Sequence, residues 1–433
     1  MKVRCSFVSG RFLGVLVLNF SLCSQALGQI TPIPAQVAPA EARYTLAEML
    51  ELASVRNPSL AAYLANIESV KGETITARVY PNPTGTFLAG RGEPRGSEAG
   101  ALSSGTEYQG TVLQPLEWPL KRQARIRAAG ARLETARLDA EGFRLFLRAA
   151  TKDAFYRVVL TAKHAEIAER NVNTVKELRR SVDVRVRTGE GAAFELVKAD
   201  VELLKAEKEV NRARNQVNLS RASLNALFGN SLPASFFLVG EFERPQALVD
   251  LPILIEGALA RHPVIARQRQ EVERWRHQLS FERQARVPDV AIGGTMIREI
   301  DKDGLAVILS VPFPIWDRRA GWIATALAEG RRAEAELARV QTELTRSITQ
   351  EYQNYRIAQD QLAVFERGLL KQSEEALRIA QISFRQGASG LLDLLDAQRV
   401  HRATLQEYYG ALFDLSGALA QLEQVTGRQD LLP

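Results

Sequence analysis

The sequence predicts a mainly α-helical chain with a small membrane-type β component, built as two internal repeats. Three observations carry that expectation. Short anchors recur in one order at a nearly constant offset. Apolar residues keep 3-4 spacing along the first of two very long helical stretches, at 120–188 and 317–386. Four runs with strand character, two per copy, have about the nine to eleven residues that cross a bilayer.

The anchors begin with "RNPSLAA" (56–62) and "RHPVIAR" (261–267), whose Pro58 and Pro263 lie 205 residues apart. "YPNPTGTF" (80–87) and "VPDVAIGG" (287–294) keep that offset at Pro83 and Pro288. "QPLEWPLKR" (114–122) and "VPFPIWDRR" (311–319) are 197 apart at Pro115 and Pro312. Gly189 and Gly387, then Gly229 and Gly427, are both 198 apart. The change in offset falls between Pro83 and Pro115, so one connection is longer in the first copy. The expected organisation is an export segment (1–28), a first repeat (29–240) and a second repeat (241–433).

The export segment has Lys2, Arg4 and Arg11 ahead of the apolar run "FLGVLVLNFSLC", with Ala26 and Gly28 offering a small-residue cleavage site. That run is short for a membrane span. Cys23 is a competing site for lipidation. Cleavage would remove both cysteines, Cys5 and Cys23, and three of the basic residues, taking the formal charge from +6 to +3. The high isoelectric point is therefore a poor argument for nucleic acid, and the remaining basic residues interleave with acids as on a solvated helix face. Hydrophobic residues at 46% and charged residues at 24% exclude disorder.

The first helix is expected over 45–78, with Thr45 as N-cap and Glu48 three residues on. A hairpin follows over 84–118. Its connection "GRGEPRGSEAGALSSG" lacks G-K-[ST] and leads into a strand, so it reads as a surface loop and not a phosphate cradle. The long helix over 120–188 has the seam Leu133, Ala136, Ala140, Phe143, Leu147, Ala150, Ala154, continuing through Val158, Thr161, Ala165, Ala168, Val172 and Val175. Leu138, Leu145 and Val159 form a second line, so this helix should have neighbours on two sides. A helix over 190–228 completes the copy. The second copy repeats the order with a helix over 251–287, a hairpin over 289–316, a long helix over 317–386 and a last helix over 388–426. In its second strand Leu305, Val307, Leu309, Val311 and Phe313 share one face.

Lengths set the geometry. At 1.5 Å per residue the long helix of the first copy spans roughly 100 Å, and the two shorter helices end to end match it. "RTGEGAAFELVKAD" (187–200) and "RQGASGLLDLLDAQ" (385–398) are then the turns at which each long helix reverses, with Gly189 and Gly387 where a left-handed C-cap requires glycine. No apolar run of 18 residues follows residue 28, so no membrane helix is expected. Four strands cannot close a barrel, and open edges are not tolerated in lipid. The chain must oligomerise: two copies would give eight strands and three would give twelve.

At this point the chain resembles the TolC family of outer-membrane efflux channels. The double unit, the "P…W…R" passage from strands to helix and the "G…(D/E)L" tips carry the resemblance across essentially the whole mature chain. "ARVPDVAIGG", "LSVPFPIWDRR" and "GLLDLLDAQR" are most similar to its CzcC-type heavy-metal branch. The resemblance implies a homotrimer with a twelve-stranded barrel in the outer membrane, continued by an α-helical coiled-coil barrel through the periplasm. It implies as partners a periplasmic membrane-fusion adaptor and an inner-membrane RND-type transporter, with no cofactor. It also places gate aspartates at Asp393 and Asp396, with Glu195 equivalent to Asp393 in the first copy. These acids lie three apart on one helix face, and symmetry would gather them into a ring with a negative field. Phe384 and Ser389 stand where the family has a tyrosine and an arginine that tie the closed state. Arg187, Gly189, Arg385 and Gly387 are the expected adaptor-docking tips, and Trp118 and Trp316, beside basic residues, the expected membrane-interface anchors.

Other readings are weaker. A soluble periplasmic coiled-coil adaptor or stalk would need no membrane strands. An enzyme would need a constellation that is missing, since there is no G-x-S-x-G, no H-E-x-x-H and no cysteine nucleophile in the mature chain. The four histidines, His164, His262, His277 and His401, are not paired at ligand spacing, so no metal site is expected. Cargo stays open among metals, drugs and proteins, because the family's branches share one architecture.

Overall fold

The computed structural model describes residues 42–92, 105–233, 236–244, 247–428 and 431, all within one unit that begins at Ala42. The export segment and most of the Gly/Ser-rich connection lie outside the described residues.

The chain starts with a short strand β1 (Ala42–Thr45), which pairs in parallel with β4 (Phe236–Val239). Four-residue strands carry too little alternation to be read from sequence, and neither was expected. Thr45 then caps α1 (Leu46–Arg56): its hydroxyl accepts from the Glu48 amide, and the Glu48 carboxylate accepts from the Thr45 amide at 2.7 Å. The single helix expected over 45–78 is two helices, α1 and α2 (Pro58–Arg78). Pro58 has no amide hydrogen and forces the preceding residue out of the helical region, so Asn57 is extended at φ −71°, ψ 120°. The helix expected over 251–287 breaks for the same reason into α5 (Leu251–Arg261) and α6 (Pro263–Gln284), with His262 extended before Pro263.

The two break residues do one job. Asn57 Oδ1 accepts from the Leu60 amide while its Nδ2 donates to the Leu227 carbonyl at 2.8 Å. His262 Nδ1 accepts from the Val264 amide while Nε2 donates to the Gln424 carbonyl at 3.1 Å. Each thereby ties a helix N-terminus to the end of another helix. Both far ends turn on left-handed glycines, Gly229 and Gly427, where an added Cβ would meet Pro58 at 3.1 Å and His262 at 3.0 Å.

Strands β2 (Thr84–Gly92), β3 (Gly105–Leu116), β5 (Val290–Arg298) and β6 (Asp303–Ser310) form one antiparallel sheet in the order β2-β3-β5-β6. The second hairpin is shorter than the expected 289–316. Pro312 and Pro314 cannot donate to a ladder, so β6 stops at Ser310 and leaves Val311 and Phe313 outside the sheet.

Helix α3 (Pro119–Arg187) is unbroken for 69 residues, whereas the long helix expected over 317–386 is not. It divides into α7 (Ala320–Val364), a π-helical turn (Phe365–Leu369) and α8 (Leu370–Arg385). Gly368 takes φ 146° inside that turn, a conformation closed to residues with a Cβ. Helices α4 (Ala193–Ala226) and α9 (Leu391–Thr426) return from the two tips.

Helix α3 has neighbours on both sides. Nearer the sheet it packs on α2 and α6, and α6 packs on α7; nearer the tips it packs on α4 and α9, and α9 packs on α8. Small side chains allow close approach: Ala168, Val172 and Val175 meet Ala206, Val210 and Ala213 of α4. The largest core cluster sits where α1, α3, α5, α7 and α9 converge, around the fully buried Phe155, Tyr156, Ile348 and Tyr355. Beside it the buried Lys152 ammonium lies 3.1 Å from Glu243 and 2.9 Å from Glu423, and Tyr156 donates to Glu243 at 2.9 Å. This polar knot ties the segment after β4 to α3 and α9.

Candidate duct end and membrane sheet

The two tips are built alike, bond for bond. At the first, the Gly189 amide donates to Val186 and the Glu190 amide to Arg185 at 2.8 Å. At the second, Gly387 donates to Phe384 and Ala388 to Ser383, also at 2.8 Å. These paired bonds define a Schellman ending, which requires a left-handed residue, and the glycines supply it at φ 80° and 72°. Both glycines are exposed. Arg187 at the first tip pairs with Asp183 one turn back at 2.9 Å, and Arg385 at the second is exposed.

An apolar cluster joins the tips: Leu178 and Val182 of α3, Phe384 of α8, and Leu391 and Leu394 of α9. Phe384 is 4% exposed, and the Arg185 guanidinium lies 5.1 Å from its ring centroid. Where the family resemblance leads one to look for a tyrosine making a polar tie, this chain has a buried hydrocarbon contact.

Asp393 and Asp396 are exposed in the first turns of α9 and line one groove of about 760 Å³ between α4 and α9. Asp393 accepts from the Gly390 amide at 3.1 Å, anchoring the start of its helix. Asp396 pairs with Arg399 at 2.5 Å. Glu195 is half-buried in the first turn of α4 and is not among the residues lining the groove. The groove is not a simple acidic surface. Its carboxylates Asp393, Asp396, Glu202 and Glu209 are matched by Lys198, Lys205, Arg399 and Arg402. The sequence reading missed those cations, although "DAQR" places Arg399 at the i+3 spacing that pairs with Asp396 on a helix.

The sheet at the other end is two-faced. Register places Phe87, Gly110, Met296 and Leu305 in one cross-strand row, with Val112 and Val307 in the next row on that face. The opposite face has the row Thr86, Thr111, Thr295 and Ala306, and the Thr111 and Thr295 hydroxyls are 2.9 Å apart. The apolar side chains are open: Leu305 is 86% exposed, Val307 81% and Phe87 71%. Soluble monomers rarely leave so large an apolar face uncovered; such faces mark contact with a partner or a membrane. The first face is apolar in these rows, whereas the second mixes its threonines and Gln109 with Leu88, Ile297 and Ile308, an asymmetry that suits strands with one side to lipid and the other to a wet lumen.

Trp118 lies at the N-cap of α3 and Trp316 in the passage after β6, 43% and 92% exposed. The cations beside them tie the strand-to-helix passages. Lys121 reaches Asp289 at 2.5 Å, Arg122 donates to the Arg78 carbonyl and stacks on Tyr80, and Arg319 reaches Glu282 at 2.5 Å. Among the described residues no group of three or more His, Cys, Asp or Glu could hold a metal ion, and no helix is long and apolar enough to cross a membrane.

The two-faced sheet is carried on helices of which α3 alone spans roughly 100 Å, as in one part of a membrane channel. Comparison with known proteins specifies the class. Residues 49–230 and 254–428 match the family model described as outer membrane efflux protein, and the chain belongs to that family. It is an outer-membrane efflux channel and not an enzyme. Over 95% of its length it is 27% identical to the cobalt-zinc-cadmium resistance protein CzcC of Cupriavidus metallidurans, covering 96% of that protein. It is 22% identical over 88% of its length to the pyoverdine export outer membrane protein OpmQ of Pseudomonas putida, covering 86% of that protein. In fold it is similar to the crystal structure of CusC, with a TM-score of 0.75 at 14% identity over 88% of this chain and 92% of that one.

Proposed function

We propose that three copies of this chain form the exit duct of a tripartite efflux pump for heavy-metal cations. The observation that carries the reading is a set of open edges arranged the same way at three levels. The sheet ends in β2 on one side and β6 on the other. The helices nearer the sheet end in α2 and α7, and those nearer the tips in α4 and α8. At each level the first half of the chain supplies one edge and the second half the other, as two copies of one repeat would. Such complementary, unlike edges join head to tail into a ring. Helix α4 presents Phe194, Val197, Val201 and Leu204 exposed at 3-4-3 spacing, away from α3, and α8 presents Ile379 and Ile382 exposed. These stripes suit a coiled-coil seam between neighbouring copies. Twelve strands then close the barrel in the outer membrane, with Trp118 and Trp316 at its interface and the helices continuing into the periplasm.

The tips carry the remaining parts of the reading. Asp393, Asp396 and Glu195 form the gate, and Arg187, Gly189, Arg385 and Gly387 meet a periplasmic membrane-fusion adaptor that links the duct to an inner-membrane RND-type transporter. Heavy-metal cargo is supported by the likeness to a cobalt-zinc-cadmium resistance protein over nearly the whole chain. A small organic exporter is the second reading, supported by the likeness to a pyoverdine export protein.

The seam is tested by pairing Val197→Cys with Ile379→Cys, exposed positions equally far from their tip glycines, and oxidising the outer-membrane fraction. Covalent ladders that stop at three chains are expected. A product that stays a single chain under denaturing conditions would contradict the ring. Cargo is tested by deletion: lost growth on zinc, cobalt and cadmium is expected, and unchanged tolerance would favour the second reading.

A further inference from the structure

We propose that Arg399 sets the ion selectivity of the duct end by offsetting its carboxylates. The inference rests on the reading that the groove between α4 and α9 faces the permeating ions, and it concerns what that groove would do to them. A row of acids focuses a negative field only when its charges are not balanced nearby. Here four carboxylates and four cations line the same groove, so its formal charge is zero. The two aspartates at its mouth are engaged differently. Asp393 accepts from a backbone amide, which leaves its charge in place. Asp396 shares its charge with Arg399 at 2.5 Å, both side chains more than half exposed.

Arg399 is therefore a specificity-determining residue. It is solvated and absent from the buried clusters, so exchanging it removes a charge without removing packing. With it present the duct end passes cations and anions with weak preference, whatever the acid content of "GLLDLLDAQR" suggests. Without it three cations face four acids, so each groove carries one net negative charge, and three copies add three, taken at about a Debye length from the path, roughly 8 Å at physiological salt. Screened unit charges at that range in water favour a cation and disfavour an anion by roughly threefold each, shifting the cation-to-anion permeability ratio by roughly sevenfold.

The test uses the full-length oligomer in planar bilayers under a potassium chloride gradient, comparing wild type, Arg399→Gln and Asp393→Asn/Asp396→Asn. Arg399→Gln should raise the potassium-to-chloride permeability ratio by up to about sevenfold, and the double asparagine variant should lower it. If the double variant shifts the ratio while Arg399→Gln leaves it unchanged, the offsetting role is overturned and the gate reading survives. If neither shifts it, the groove does not face the permeating ions, and both readings fall. A lysine at 399 should restore the wild-type ratio; failure to do so would assign the effect to shape and overturn the inference.

Discussion

Replacing His262 with Asn should remove one component of acid sensitivity from the fold. His262 is 6% exposed and held as a neutral ring, with Nδ1 accepting and Nε2 donating. Burial holds its pKa below the ordinary 6.5, only partly countered by the bond to Gln424. Protonation would place a second N–H against the Val264 amide and destroy the cap. A base with a depressed folded-state pKa binds its proton more readily when unfolded. Stability is thus complete above pH 6.5 and drains away as pH falls from there toward the folded-state value. By pH 5.5 one such group costs up to about 1.4 kcal/mol, a tenfold shift in the unfolding equilibrium. Asn57 shows that an asparagine can make both bonds in the equivalent setting. His262→Asn should therefore unfold at a similar denaturant concentration at pH 7.5 and lose less stability by pH 5.5, as read by circular dichroism of the detergent-solubilised oligomer. His164 and His401 are also depressed by burial, while Glu423 and Asp414 are raised, so only the difference between the two proteins is informative. Equal losses in both would refute the reasoning.

Three further outcomes follow from the geometry. Lys152→Met leaves the partly buried Glu423 and Glu243 without their buried cation and should destabilise by up to about 3–5 kcal/mol, measured by denaturant unfolding; Lys152→Met with Glu423→Gln should recover part of that. Leu305→Lys puts a charge on the apolar face of the sheet and should cost about 2–4 kcal/mol in membrane insertion, whereas Ala306→Lys on the opposite face should be tolerated, as read by recovery of heat-stable oligomer from outer membranes. Gly427→Ala demands a left-handed alanine whose Cβ lies 3.0 Å from His262, and should lower the melting temperature, while Gly330→Ala, with open space around it, should not.

Much of this architecture was legible because it follows from backbone chemistry that short motifs carry. The tip glycines need positive φ, Thr45 with Glu48 spells a capping box, and the alanine-rich seam of α3 marks close helix contact. What the sequence hid depends on partners distant along the chain. Asn57 and His262 hold matching positions in the repeat, but their common task shows only in their bonds to Leu227 and Gln424. The breaks before Pro58 and Pro263 were readable from proline alone, because proline removes a donor and pushes its predecessor out of the helical region. Gly368 gave no warning, since a lone glycine inside a helical pattern is ordinarily tolerated. At the duct end the two aspartates were visible, and so was Arg399 beside them, but the groove's overall charge balance depends on α4, about two hundred residues away in the chain, supplying Lys198 and Lys205 with Glu202 and Glu209.

Native mass spectrometry of the protein extracted from outer membranes in detergent tests the central claim most directly. The account predicts a single dominant species of three chains, the number whose twelve strands close the open edges. A stable species of one chain would contradict it.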